Sequence, residues 1–279
     1  MTIEDQESPA EPPAQRTGGR HSRVDGGASR AEIVRLVLRG AGQTLITVGV
    51  VVLLFVVYEL WVTNIFAEQK QHKVHTALEH EWATGDDPLV TGKLSLPGGK
   101  QGTIPTGTGI ANIYIPRLGT DYHFTIVQGT DDASLEKGPG HYVDTALPGQ
   151  VGNFAVAGHR VGKGEPFLNL DHLRPGDAIV IETKSTWYIY RVKGNVQTGE
   201  LSDKGSDGIP GREIVSPSDT DVIAPVPDHP GVSPTEKMIT LTTCHPKFTA
   251  RERMILHGTL SRAVPRSGQL PKELAGGTI

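Results

Sequence analysis

The chain has 279 residues, enough for one domain or two, with 21% charged residues, 5% aromatics and a formal net charge of −4. That balance gives no electrostatic case for nucleic-acid binding. A single cysteine, Cys244, excludes an internal disulfide and a cysteine-rich zinc site, and 34 glycines with 20 prolines point to a turn-rich β domain rather than a helical bundle.

Residues 1–40 open on Pro, Gly, Ser, Ala and charge, with almost no large apolar residues before position 30, and are expected to form a disordered arm. Arg20, Arg23, Arg30, Arg35 and Arg39 crowd the approach to an apolar run, Leu45 to Val57 (LITVGVVVLLFVV). Extended from Ala41 to Val62, that run reaches the roughly 20 residues needed to cross a bilayer, with Glu59 near its outer end and Tyr58 and Trp61 at the expected interface. A cleaved signal peptide would have a shorter core and a small-residue cleavage site. The arginine excess predicts a cytoplasmic amino terminus and an extracellular carboxyl-terminal bulk, at the cell membrane and spanning it once.

Residues 63–108 are expected to form an extracellular helix over Ala67–Trp82 followed by a Gly/Pro-rich linker, together a stalk. His72, His75 and His80 on that helix read as an exposed polar face. From about 109 to 261 short strand patterns recur between turn residues: 110–115, 122–127, 153–157, 178–183, 186–192, 237–243 and 253–260, with short helical turns near 131–137 and 167–173. This spacing indicates an all-β barrel or sandwich. The proline-rich stretch 199–235 carries little patterning, and 262–279 reads as an unstructured tail.

Cys244 follows the β-branched run Met238–Thr243 and precedes Pro246, which cannot donate to a ladder, so the thiol sits at a strand end. A lone cysteine is often only a small buried hydrophobe. To act as a nucleophile it needs a base and an oxyanion donor. His245 is adjacent in sequence, but successive side chains of an extended chain point opposite ways. His159 stands, like Cys244, just past an apolar strand, and that shared setting makes it the candidate base. For the donor, Arg251 and Arg253 flank Glu252 at the start of the last strand and share a face.

Assembled, these residues resemble the sortases, membrane-anchored cysteine transpeptidases of Gram-positive bacteria. The motif Thr240-Leu241-Thr242-Thr243-Cys244 matches the family's TLxTC, with Arg253 nine positions on; Ala157-Gly158-His159-Arg160 carries the catalytic histidine; Phe167 to Asp177 resembles the F-x-x-L…L-x-x-G-D segment. The likeness covers roughly 109–261 and is greatest to class E of actinobacteria, with class D as the nearest rival. It implies a closed β-barrel of about eight strands with short helices behind one transmembrane helix. Cys244 would attack the Thr–Gly carbonyl of an LAxTG- or LPxTG-type sorting signal, His159 would act as acid and base, and Arg253 would hold the substrate or the oxyanion. Thr243 and Tyr122 would contact the substrate. The implied partners are secreted proteins bearing the signal, an amine of a peptidoglycan precursor and the lipid bilayer, with no cofactor and no metal. An L,D-transpeptidase, which carries His-Gly-Cys, and a membrane-anchored β-domain that only binds are the competing readings.

Overall fold

The computed structural model describes residues 29–58, 63–91, 95–96, 100–101 and 104–275. Expectations for residues 1–28, for Glu59 and Trp61, and for most of the linker at 92–103 lie outside these. The chain divides into two compact units, 1–53 and 54–279.

The first unit is dominated by helix α1, Arg30–Val57, which begins well before the apolar run. A capping box explains the early start. The Ser29 hydroxyl accepts from the Glu32 N–H (3.3 Å), and the Glu32 carboxylate accepts from the Ser29 N–H (2.9 Å). Arg30, Arg35 and Arg39 therefore lie on the helix, not in a disordered arm reaching to residue 40. Among the described residues α1 is the one helix long and apolar enough to cross a membrane, and its large apolar side chains are exposed.

In the second unit, α2 (Thr63–Thr84) precedes a short helix α3 (Pro88–Thr91) and a two-stranded ribbon, β1 (Ser95–Leu96) with β2 (Lys100–Gln101). The barrel strands follow: β3 (Gly109–Tyr114), β4 (His123–Gln128), β5 (Gly140–His141), β6 (Gly152–Ala157), β7 (Ala178–Glu182) and β8 (Thr186–Val192). The one-turn helix α4 (Asp132–Leu135), capped by the Asp131 side chain on the Ser134 N–H, lies between β4 and β5. The strands end with β9 (Arg212–Val215), β10 (Lys237–His245) and β11 (Glu252–Pro265). The order β10-β6-β5-β4-β3-β7-β8-β11 closes through β10–β11, giving the expected eight-stranded barrel, and β9 adds to β11 beside β8. The interior is filled by Ile110, Ile113, Ile126, Phe154, Val156, Ile179, Ile181, Ile239, Leu241 and Leu256, all with no exposed surface. Closure leaves β6 and β10 paired on both edges, which removes the open strand edge that a sheet must otherwise protect.

Two segments differ from expectation. Helix α2 is no free stalk. Leu78 and Trp82 are 1% and 5% exposed, burial worth about 1.5–3 kcal/mol for a leucine-sized side chain. The Gln71 side-chain amide accepts from the Thr125 N–H and donates to the carbonyls of Thr125 and Lys137, so it behaves as one more peptide group on the edge of β4. His75 Nδ1 lies 3.1 Å from Thr125 Oγ1 rather than facing solvent. The carboxyl-terminal tail is also partly built in. β11 runs to Pro265, Glu273 pairs with Arg191 and Arg262, and Leu274 is buried beside Tyr114 and Trp187.

Candidate active site

β10 alternates across the barrel wall. Ile239 and Leu241 enter the core, while Thr240 and Thr242 face outward to side-chain partners, and Cys244 continues the outward series. On one side β10 runs antiparallel to β11 with Cys244 directly opposite Arg253, so both side chains leave the same face. On the other side it runs parallel to β6 in the register Thr242↔Ala157. The Gly158 N–H donates to the Thr242 carbonyl (3.0 Å), carrying that pairing past the end of β6. His159 follows Gly158 directly, two residues past the end of β6, so it lies at the end of the barrel where Cys244 and Arg253 face each other on β10 and β11.

His159 opens a loop with an unusual backbone. Gly162, Lys163, Gly164 and Glu165 are consecutive left-handed residues, and for Lys163 and Glu165 that conformation is uphill. Side chains and tight packing hold it. Gly158 lies against the Phe167 ring so closely that a Cβ there would sit 2.4 Å from a ring carbon. The Phe167 N–H donates to the His159 carbonyl (3.0 Å), the Tyr122 hydroxyl donates to the Pro166 carbonyl (2.6 Å), and the Thr243 hydroxyl donates to the Gly158 carbonyl (2.7 Å).

His159 Nε2 is buried and has no hydrogen-bond partner. Burial is the main cause holding the imidazole below its ordinary pKa, Lys163 adds to it, and Asp132 and Glu136 oppose it. The ring is therefore biased to the neutral form, with one nitrogen unengaged. Cys244 is partly exposed. Arg253 donates through Nη1 to the carbonyls of Ala250 (3.2 Å) and Glu252 (3.0 Å), leaving the rest of its donor fork without a protein partner among the described residues.

Thr243 and Tyr122, expected to contact substrate, both have hydroxyls engaged within the protein. Thr243 is 3% exposed, on the wall face opposite Cys244, and its hydroxyl is engaged by Gly158. Tyr122 stacks edge-on to Phe124 at 5.3 Å, and its hydroxyl holds the His159 loop. Sequence reasoning missed Tyr142, whose hydroxyl lies 3.0 Å from Thr242 Oγ1 on the Cys244 face; nothing local in the sequence marks it. Arg160 has a usable signal in the sequence, a charge directly behind a strand-end histidine. Among the described residues no group of three or more His, Cys, Asp or Glu could hold a metal ion.

A family model described as the sortase domain matches residues 113–261, more than half of the chain. The chain belongs to the sortase family. It is 35% identical over 243 residues to sortase SrtE1 of Streptomyces coelicolor, spanning 85% of this chain but only 60% of that protein. It is 33% identical over 266 residues to sortase SrtE2 of the same organism, spanning 92% of this chain and 94% of the other. Among solved structures, the SrtF sortase from Corynebacterium diphtheriae superposes with a TM-score of 0.57 at 41% identity, covering 65% of this chain and 99% of that one. Sortases are cysteine transpeptidases, so this chain is an enzyme of that kind. Its likeness to class E sortases, expected from the motifs, is matched by these relatives. The L,D-transpeptidase and pure binding-module readings fall with the family assignment.

Proposed function

We propose that this sortase is a single-pass membrane protein, with a cytoplasmic amino terminus and an extracellular catalytic domain, that joins secreted proteins to the cell wall through their LAxTG- or LPxTG-type sorting signals. The observation that carries the reading is that Cys244 pairs directly with Arg253, which has unengaged donors, while His159, with an unengaged buried imidazole nitrogen, stands just past the end of the neighbouring strand β6.

The chemistry follows from those three groups. Cys244 Sγ passes its proton to His159 and bonds to the carbonyl carbon of the signal's threonine. The charge that develops on the carbonyl oxygen is met by Arg253. Collapse breaks the Thr–Gly C–N bond, and His159 returns its proton to the departing glycine amine. An amine of a peptidoglycan precursor then attacks the thioester and gives a proton to His159; the C–S bond breaks, His159 passes that proton to the departing Sγ, and the amine leaves bonded to the protein. A neutral resting imidazole suits the first step. No metal or cofactor enters these steps. The anchor is supported by α1 and by the arginines before its apolar run. The likeness to class E, which implies LAxTG-type signals, supports these over the LPxTA or LPxTG signals of a class D enzyme.

The test is cleavage and transpeptidation of fluorogenic LAxTG and LPxTG peptides by the full chain in detergent, with and without an added amine. The wild type turns over, Cys244→Ala does not, and LAxTG is the faster substrate. Equal inertness of both proteins on both peptides would overturn the proposal, and a faster LPxTG reaction would move it to class D.

A further inference from the structure

Arg160 follows His159 directly, and for a charged residue its burial is extreme, at 3% exposed. Its guanidinium reaches across the mouth of the barrel to β10. Nη1 donates to His245 Nδ1 (2.8 Å) and lies 3.4 Å from the Cys244 carbonyl. Nη2 lies 3.1 Å from Asp171 Oδ1, in the 3-10 turn Leu170–His172, an ion pair without hydrogen-bond alignment, and Nε has no hydrogen-bond partner among the described residues. Lys247 Nζ stands 3.9 Å from the same carboxylate oxygen. Burial alone would raise the Asp171 pKa, but a backbone N–H, Arg160 and Lys247 together bring it below the ordinary carboxyl value. Asp171 is thus an anion at neutral pH and a fixed counter-charge for Arg160.

We propose that Arg160 is a positioning residue for the transpeptidation site, a side-chain clamp held by Asp171 that sets the His159 loop against the end of β10. The proposal rests on the reading of Cys244 and His159 given above. Ladder pairing between β6 and β10 stops at Gly158, so backbone bonds do not fix the thiol against the imidazole. Arg160 supplies that link from the residue next to the base to the backbone of the nucleophile. It also explains why His245, next to the nucleophile, is not the base. A guanidinium only donates, so His245 Nδ1 must accept, and the ring is turned to the arginine on the side away from the thiol. A planar fork can hold the carboxylate with one nitrogen and the imidazole and carbonyl with the other; an ammonium cannot match that geometry.

The experiment measures kcat and KM on the peptide that the wild-type full chain cleaves, beside melting temperature, for Arg160→Ala, Arg160→Lys, Asp171→Asn and the double variant Arg160→Ala/Asp171→Asn, with Cys244→Ala as reference. Misplacement of reacting groups by about 1 Å predicts a roughly 100-fold fall in kcat for Arg160→Ala, with KM within about threefold. Arg160→Lys recovers part of that loss. Asp171→Asn lowers kcat by roughly tenfold, and the double variant is no worse than Arg160→Ala, because Asp171 acts through the arginine. The proposal is overturned if Arg160→Ala keeps kcat within about threefold of wild type, if the loss appears in KM, or if the two single effects multiply. Where Arg160→Ala fails to melt cooperatively, Arg160→Lys and Asp171→Asn decide: wild-type kcat in both rejects the clamp. An active Arg160→Ala beside a dead Cys244→Ala rejects only the clamp, whereas an active Cys244→Ala rejects the site itself.

Discussion

Cys244 and His159 are held in opposite ways. Cys244 sits near the end of a nine-residue strand, in direct ladder register with Arg253 on β11, and its backbone position follows from that pairing. His159 stands one residue beyond the last β6 ladder contact, at the head of a loop with four left-handed residues, and is secured by Phe167, Tyr122, Thr243 and Arg160. The proposed nucleophile is therefore robust to substitution at a distance, while the proposed acid/base is exposed to every fastening. Damage to the loop should reach catalysis through His159 and leave the thiol intact.

The sharpest break of that asymmetry is Phe167→Ala. Phe167 is fully buried against Gly158, and truncating a buried aromatic costs about 3–5 kcal/mol. Thermal or urea unfolding should show a loss of that size, and kcat should collapse while Cys244 still alkylates with iodoacetamide in the folded fraction. A smaller effect is expected of Thr243→Val, which leaves the buried Gly158 carbonyl without its side-chain donor at a cost of about 1–3 kcal/mol. Its mark is a fall in kcat with an unchanged preference between peptides, since the hydroxyl faces away from the substrate side. Tyr122→Phe removes one hydrogen bond to Pro166, about 1 kcal/mol. It should lower stability slightly and likewise leave the LAxTG to LPxTG ratio alone; a changed ratio would restore Tyr122 as a reader of the signal. The mildest is Lys163→Met. Lys163 helps to hold His159 below its ordinary pKa, so its removal raises that pKa and the acid limb of the kcat profile moves to higher pH. The Lys163–Glu136 pair is exposed, and little stability is lost with it.

Much of this was readable in the sequence because strands announce themselves by local pattern. The pairing of Cys244 with Arg253 follows from two strand patterns joined by a short loop, and the β7–β8 hairpin from two β-branched runs across a tight turn. The docking of α2 was hidden for a physical reason. Its contact face runs through Ala67, Gln71, His75, Leu78 and Trp82, a helical stripe in which polar residues bond to the edge of the barrel, so no apolar periodicity reveals it. The carboxyl-terminal segment was hidden similarly: the partners of Glu273 and Leu274 are distant in sequence or read as surface charge. The engagement of the Thr243 and Tyr122 hydroxyls by the Gly158 and Pro166 carbonyls was not legible, because sequence gives proximity to Cys244, not the direction in which a hydroxyl points.

The central claim is that Cys244 forms the covalent intermediate while a loop-held His159 serves it. The most direct measurement is intact-mass spectrometry of the full chain mixed with an LAxTG peptide in the absence of an acceptor amine. The account predicts a transient adduct with the mass of the peptide up to its threonine, mapped to Cys244, released by hydroxylamine and absent in Cys244→Ala. It also predicts that His159→Ala fails to accumulate that adduct. Peptide cleavage with no adduct on Cys244, or an adduct on another residue, would contradict it.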